Sequence, residues 1–178
     1  MDLREKKTIR DIQDAFLQLR ARKPLERITV RELVELAEIG KSTFYLHYKD
    51  VYDLCDQMQK DVIRKIFADI RRYDAFFTDP MLFTREMFQS SINHSAVTDI
   101  LFSGRQYYVL AHYIEQGMRE YFFRDYPELE GNMEFNIWLS LVVHGGFSAY
   151  VENHEAFGDE DTIQLISSKI SKIPLPHL

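Results

Sequence analysis

Apolar residues recur at helical spacing along nearly the whole chain. Ile9, Ile12, Ala15, Phe16 and Leu19 mark one face of a helix over about residues 5–22, with Lys6, Lys7, Arg10, Arg20 and Arg22 outside that stripe. Pro24 closes it, and Leu25 to Ile28 lead to Thr29. Thr29 and Glu32 have the spacing of a capping box, and Leu33, Val34, Leu36 and Ala37 follow on one face, which predicts a short helix over about residues 30–37. After a turn ending at Gly40, Lys41 to Tyr48 predicts a second short helix. Phe44 points inward there, and Lys41, Ser42, Thr43, Tyr45 and His47 form a hydrogen-bonding outer side. Asp50, with Asp53 at the third position, caps a further helix marked by Val51, Leu54 and Met58. Ile28 to Leu54 therefore reads as a helix-turn-helix whose middle helix is displayed by its neighbours.

Beyond Asp50 the same spacing continues through Val62 and Ile66 to about Tyr73, and the run DAFFTDP ends it, with Pro80 opening the next helix. Further helices are predicted near residues 80–92, 96–102, 105–125, 131–153 and 159–172, with breaks at Ser103-Gly104, Pro127 to Gly131 and Gly158. The 105–125 segment carries Tyr107, Leu110, Ala111, Ile114, Met118, Tyr121 and Phe122 on one face and His112, Glu115 and Arg119 on the other. The 131–153 segment is apolar on more than one face and so needs a second partner. Gly145-Gly146 inside it suggests a close helix-helix approach, and Ile163, Ile166, Ile170 and Ile173 repeat at seam-like spacing in the last helix. Val142, Gly145, Gly146, Ala149, Ile163, Ile166 and Ile170 are accordingly the expected dimerisation residues, two helices from each chain making a four-helix interface.

Composition agrees with an all-α chain. Only seven glycines and five prolines occur in 178 residues, and long stretches lack both. No apolar run reaches bilayer length and the N-terminal MDLREKKTIRD is charged, so a cytoplasmic protein without a membrane partner is expected. Cys55 is a lone cysteine, read as a small core filler. The net charge of −6 is unevenly spread: residues 1–50 hold 11 Lys and Arg against 9 Asp and Glu, the remainder 11 against 19. A slightly basic head thus precedes an acidic body, a division that permits DNA binding without proving it. Phosphate-binding glycine loops, nucleophile elbows and HExxH are absent, so no catalytic residue is named. His94, His112, His144 and His154 share the body with Glu115 and Glu152, but no pair has strong ligand spacing, and neither a metal nor a cofactor is expected.

Periodicity alone allows either a DNA-reading element or a surface helical hairpin. The spelling discriminates. Ala37, followed after five residues by Thr43-Phe44-Tyr45-Leu46-His47-Tyr48 and then a helix capped at Asp50, resembles the DNA-binding end of the tetracycline-repressor (TetR/AcrR) family, closely over about residues 8–54 and beyond that in length and helical layout. The resemblance implies phosphate contacts from Thr29, Tyr45 and His47, base-edge or phosphate contacts from Lys41, Ser42 and Thr43, and core packing from Ala37, Phe44 and Tyr48. Three positions depart from the family pattern. Glu38 stands at the turn glycine, so the turn either holds a non-glycine residue at some cost or is rearranged around Gly40. Gly40 itself replaces a capping Ser or Thr. Val51 replaces a phosphate-binding lysine, for which Lys49 is the natural substitute.

The expected protein is thus a three-helix DNA-binding domain over residues 1–49 and a helical regulatory and dimerisation domain over residues 50–178. Its expected function is that of a TetR-like regulator, a repressor binding a palindromic operator in double-stranded DNA as a homodimer. The resemblance also implies an apolar small-molecule effector held among the middle helices of the body, which acts by changing the spacing of the two heads. The alternatives are a regulator without a small-molecule effector and a helical protein-interaction module whose helix-turn-helix is structural.

Overall fold

The computed structural model describes residues 2–104 and 107–176. Among the described residues all regular structure is helical, with ten α-helices and no strand. In chain order these are α1 (Leu3–Arg20), α2 (Val30–Leu36), α3 (Lys41–His47), α4 (Val51–Ala68), α5 (Ala75–Thr78), α6 (Pro80–Asn93), α7 (Ser95–Leu101), α8 (Tyr107–Asp125), α9 (Met133–Phe157) and α10 (Asp159–Ile170). The expected start of α8 at residue 105 and the side chain of Tyr107 lie outside the described residues. No helix among the described residues is long and apolar enough to cross a membrane. The chain divides into two compact units, one of Met1–Val62 with Ser95–Tyr107 and one of Ile63–His94 with Tyr108–Leu178. The first is therefore larger than the 1–49 head expected from the sequence.

The first unit is built on α1, which buries Ile12, Ala15 and Phe16. Helix α2 packs against both α1 and α3 and contributes Leu33 and Val34 to the core, where they join Phe44, Tyr48 and Leu54. Cys55 is buried there as a free thiol, and burial pushes its pKa up to about 11, which suits a packing role. Helix α7 packs on α1. Side chains take carbonyls at its end and just beyond it: Gln59 Nε2 donates to Leu101 O at 3.1 Å and, two residues past the helix, Arg20 Nη2 donates to Ser103 O at 2.7 Å. Arg20, placed by periodicity outside the apolar stripe, is in fact buried to make this bond. A guanidinium at the carbonyl end of a helix is the favourable polarity.

In the second unit α4 ends at Ala68, five residues before the end expected at Tyr73. Side chains from further along the chain take two of its last carbonyls. Ser90 Oγ donates to Ile66 O at 3.0 Å, and the Tyr73 hydroxyl donates to Phe67 O. The released chain turns and buries Ala75 and Phe76 in α5. The Phe76 ring lies 4.0 Å from that of Phe122, 5.3 Å from Phe83 and 5.6 Å from Trp138, an aromatic centre drawing on α5, α6, α8 and α9. Asp79 then caps α6 by accepting from Leu82 N, with Pro80 as its first residue. Helix α9, capped by Asn132, runs on to Phe157, and Gly158 at φ 83° ends it.

Glycine is required where Phe67 meets α8. A Cβ on Gly117 would stand 2.6 Å from the Phe67 ring, closer than carbon atoms can pack. Gly117→Ala should therefore destabilise the fold by about 1–3 kcal/mol despite the better helix propensity of alanine. Thermal or urea unfolding followed by circular dichroism checks this.

Candidate nucleic-acid interface

Helix α3 is only seven residues long, too short to persist by itself, so its neighbours must hold it. Two side chains fix its rotation. Phe44 is fully buried and Tyr48, four residues on, is 4% exposed, with their ring centroids 5.7 Å apart. The Tyr48 hydroxyl meets Gln13 of α1, and burial raises its pKa. With that side turned inward, Lys41, Ser42, Tyr45 and Leu46 are exposed, while Thr43 and His47 are half-buried at the margins. Tyr45 stands edge-on to Phe44 at 5.4 Å and leaves its hydroxyl end outward.

The ends of the short helices are tied by side chains. Thr29 Oγ1 accepts from Glu32 N at 3.3 Å, and Glu32 Oε2 accepts from Thr29 N at 3.0 Å, a complete capping box. Glu32 also pairs with Lys23, and the bonds from Lys23 and Thr29 lower its pKa to about 2. After α3, Asp50 Oδ1 accepts from Asp53 N, and Asp53 Oδ2 accepts from Lys49 N, both at 2.8 Å, so the backbone at Lys49 is fixed while its side chain stays exposed.

The turn between α2 and α3 resolves the two options left by the sequence. Glu38 itself takes the left-handed conformation at φ 54°, and Ile39 N–H closes on Val34 O at 3.0 Å, the outer bond of a Schellman ending. Gly40 sits at φ −78°, which any residue adopts, and caps α3 without a side-chain bond. A carboxylate residue in this conformation costs about 1 kcal/mol relative to glycine. All seven residues expected to touch DNA, Thr29, Lys41, Ser42, Thr43, Tyr45, His47 and Lys49, belong to α3 or to the caps on either side of the α2–α3 pair.

The residues expected in a dimer interface divide between inside and outside. Val142 and Gly146 on α9 and Ile163 on α10 are buried within the second unit, and Ala149, Ile166 and Ile170 are half-buried. A Cβ on Gly146 would stand 3.0 Å from Ile170 Cδ1 of the same chain, so the close approach at this glycine is made to α10 of its own protomer. Gly145 is exposed with no atom within 4 Å of where its Cβ would be. Beside it Ile137, Leu141, Phe157 and Leu165 are each more than half exposed. A trough of about 630 Å³ runs between α9 and α10, walled by residues including Leu141, Gly145, Ala149, Leu165 and Ile166.

A buried polar cluster was not foreseen. Glu115, expected on the outer side of α8, is buried and accepts from Arg119 Nη2 at 2.6 Å and Ser140 Oγ at 2.7 Å, with His144 Nε2 at 2.8 Å from its other oxygen. Burial by itself pushes the carboxyl pKa up, but the Ser140, Arg119 and His144 bonds outweigh it and hold the pKa below the usual range. The i,i+4 spacings of Glu115 with Arg119 and of Ser140 with His144 are the only sequence signals of this pairing. Among the described residues no group of three His, Cys, Asp or Glu side chains comes together as a metal site.

Fold and site together define an all-helical protein that presents one short polar helix and one open apolar helical face. No family model, curated protein or solved structure matches the chain.

The Glu32 ties generate a pH dependence. Because its folded pKa lies below the unfolded value, the stabilisation is present above the usual carboxylate range and is lost as pH falls through it towards about 2. Melting curves of wild type and Glu32→Gln should differ at neutral pH and converge as pH drops from about 4.3 to 2.

Proposed function

We propose that the chain is a DNA-binding transcriptional regulator of the tetracycline-repressor type, acting as a homodimer on a palindromic operator. In this reading α2 and α3 are a helix-turn-helix and α3 enters the major groove, which admits a helix and exposes base edges to it. The observation that carries the reading is the rotation of α3. Phe44 and Tyr48 turn inward, and the side left open carries an ammonium, a hydroxyl and a phenol, from Lys41, Ser42 and Tyr45. The motif resemblance over residues 8–54 agrees with it.

Tyr45, His47, Thr29 and Lys49 are assigned to phosphate, and Lys41, Ser42 and Thr43 to base edges or phosphate. The exposed apolar face of α9 and α10 is assigned to a second copy. A run of Ile137, Leu141, Phe157 and Leu165 left open to water on two adjacent helices marks an association surface, and two copies related by a twofold axis would cover each other's. Repression relieved by an apolar effector in a cytoplasmic regulator rests on the family resemblance, and a thermal-shift screen of small apolar molecules tests it.

Binding should be selective and salt-dependent. With Lys49 of both protomers neutralising phosphate, affinity should fall about 10-fold between about 50 and 200 mM salt. Tyr45→Phe should weaken selected and random duplexes alike, whereas Lys41→Ala should lose about 1–3 kcal/mol on the selected site and relax its sequence preference. Fluorescence anisotropy on duplexes selected from a random pool reads all three. Salt-independent binding, or none, would contradict the assignment and favour a protein-interaction module.

Assembly is tested separately. Leu141→Glu places a carboxylate on the open face without touching the core, so the protein should keep its helical content while sedimenting as a monomer. Two heads bridge half-sites about 34–36 Å apart, so the monomer should also lose operator affinity with every α3 residue intact.

A further inference from the structure

Leu46 is 81% exposed, although it lies within α3 between Tyr45 and His47. A scattered surface leucine needs no explanation in general. The company of this one gives it meaning. Phe44 and Tyr48 point inward, and the open side of α3 consists of Lys41, Ser42, Tyr45 and Leu46. Leu46 is thus part of the surface that, on the DNA-binding reading given above, faces the floor of the major groove.

That floor offers hydrogen-bond donors and acceptors from every base pair and one apolar group, the C5 methyl of thymine. Lys41 and Ser42 can meet the polar groups, and Tyr45 reaches the phosphate at the groove's edge. Leu46 can do neither: pressed against a base nitrogen, a carbonyl or a phosphate, its isobutyl group would strip water from a polar atom and return no bond. Against a thymine methyl it loses nothing and buries apolar surface on both sides. We infer that Leu46 is a specificity-determining residue that reads a thymine in each operator half-site through its C5 methyl.

The register follows from the helix. Ser42 and Leu46 are four residues apart on one side of α3, separated by about 6 Å along the axis. Stacked bases along one strand are about 3.4 Å apart, so the thymine lies within about two base pairs of the one facing Ser42.

This inference rests on the DNA-binding reading and is tested so that the two can fail separately. Duplexes are selected from a random pool with the full-length protein, and each thymine of the selected site is then replaced in turn by deoxyuridine. The replacement removes the methyl and leaves every hydrogen-bonding group in place. Wild type should lose about fourfold in affinity at one thymine per half-site. Leu46→Ala should bind the thymine duplex more weakly, be indifferent to deoxyuridine at that position, and match wild type on random duplex. Its melting curve should be unchanged, since the side chain touches little of the protein. A selected half-site without an invariant thymine, a deoxyuridine scan with no sensitive position, or equal sensitivity in wild type and Leu46→Ala would each overturn the role of Leu46 while leaving the regulator reading intact. A wild-type protein that enriches no sequence and binds no duplex would overturn both.

Discussion

Seven residues of helix cannot hold a direction in water, and everything attributed to α3 depends on its having one. The direction comes from two rings four positions apart. Phe44 is removed from solvent altogether, a burial worth about 1.5–3 kcal/mol, and Tyr48 closes the same side with its hydroxyl tied to Gln13 of α1. Rotating α3 by one residue, about 100°, would expose one ring and drive Lys41 or Tyr45 toward the core. The packing therefore selects which four side chains face outward, and in that sense core and surface of the head are one constraint.

The ends of α2, α3 and α4 complete it. Short helices have a high proportion of unpaired terminal groups, and here polar side chains take some of them: Thr29 and Glu32 at the start of α2, Asp50 and Asp53 at the start of α4. The price is visible at one point. Glu38 occupies a left-handed position that glycine would fill without strain, and Gly40, where no unusual backbone angle is needed, supplies α3 with no side-chain cap. The turn is thus less stable than its best sequence would make it. Strain beside a binding surface is a common companion of function, since residues there are chosen for contact as well as for stability.

What could be read in the sequence was what depends on near neighbours. The Thr29–Glu32 spacing, Asp50 as a cap, Pro80 at the first position of α6 and the 3.6-residue stripes all depend on residues a turn or less away. What could not be read depends on distant ones. Helix α4 stops at Ala68, and Ser90, more than twenty residues on, takes the carbonyl of Ile66. Arg20 looks like a surface cation until Ser103 O is placed beside it. Glu115 is buried because Ser140 and His144 arrive from α9. Gly146 signalled a close approach correctly, but helical spacing does not say whether the approaching helix belongs to the same chain, and here Ile170 of its own α10 fills the space. For the candidate interface the polar face of α3 was legible from the inward Phe44. Leu46 was not singled out, because an apolar residue in a helix is taken for core until its exposure is known.

On the proposed reading the outward side of α3 meets duplex DNA. Backbone amide resonances of the full chain, followed while a selected duplex is titrated in, test it directly. The largest shifts should fall on Lys41 to Lys49 and at Thr29, while buried amides of α6 and α8 stay in place. Shifts confined to α9 and α10, or none at stoichiometric duplex, would contradict it.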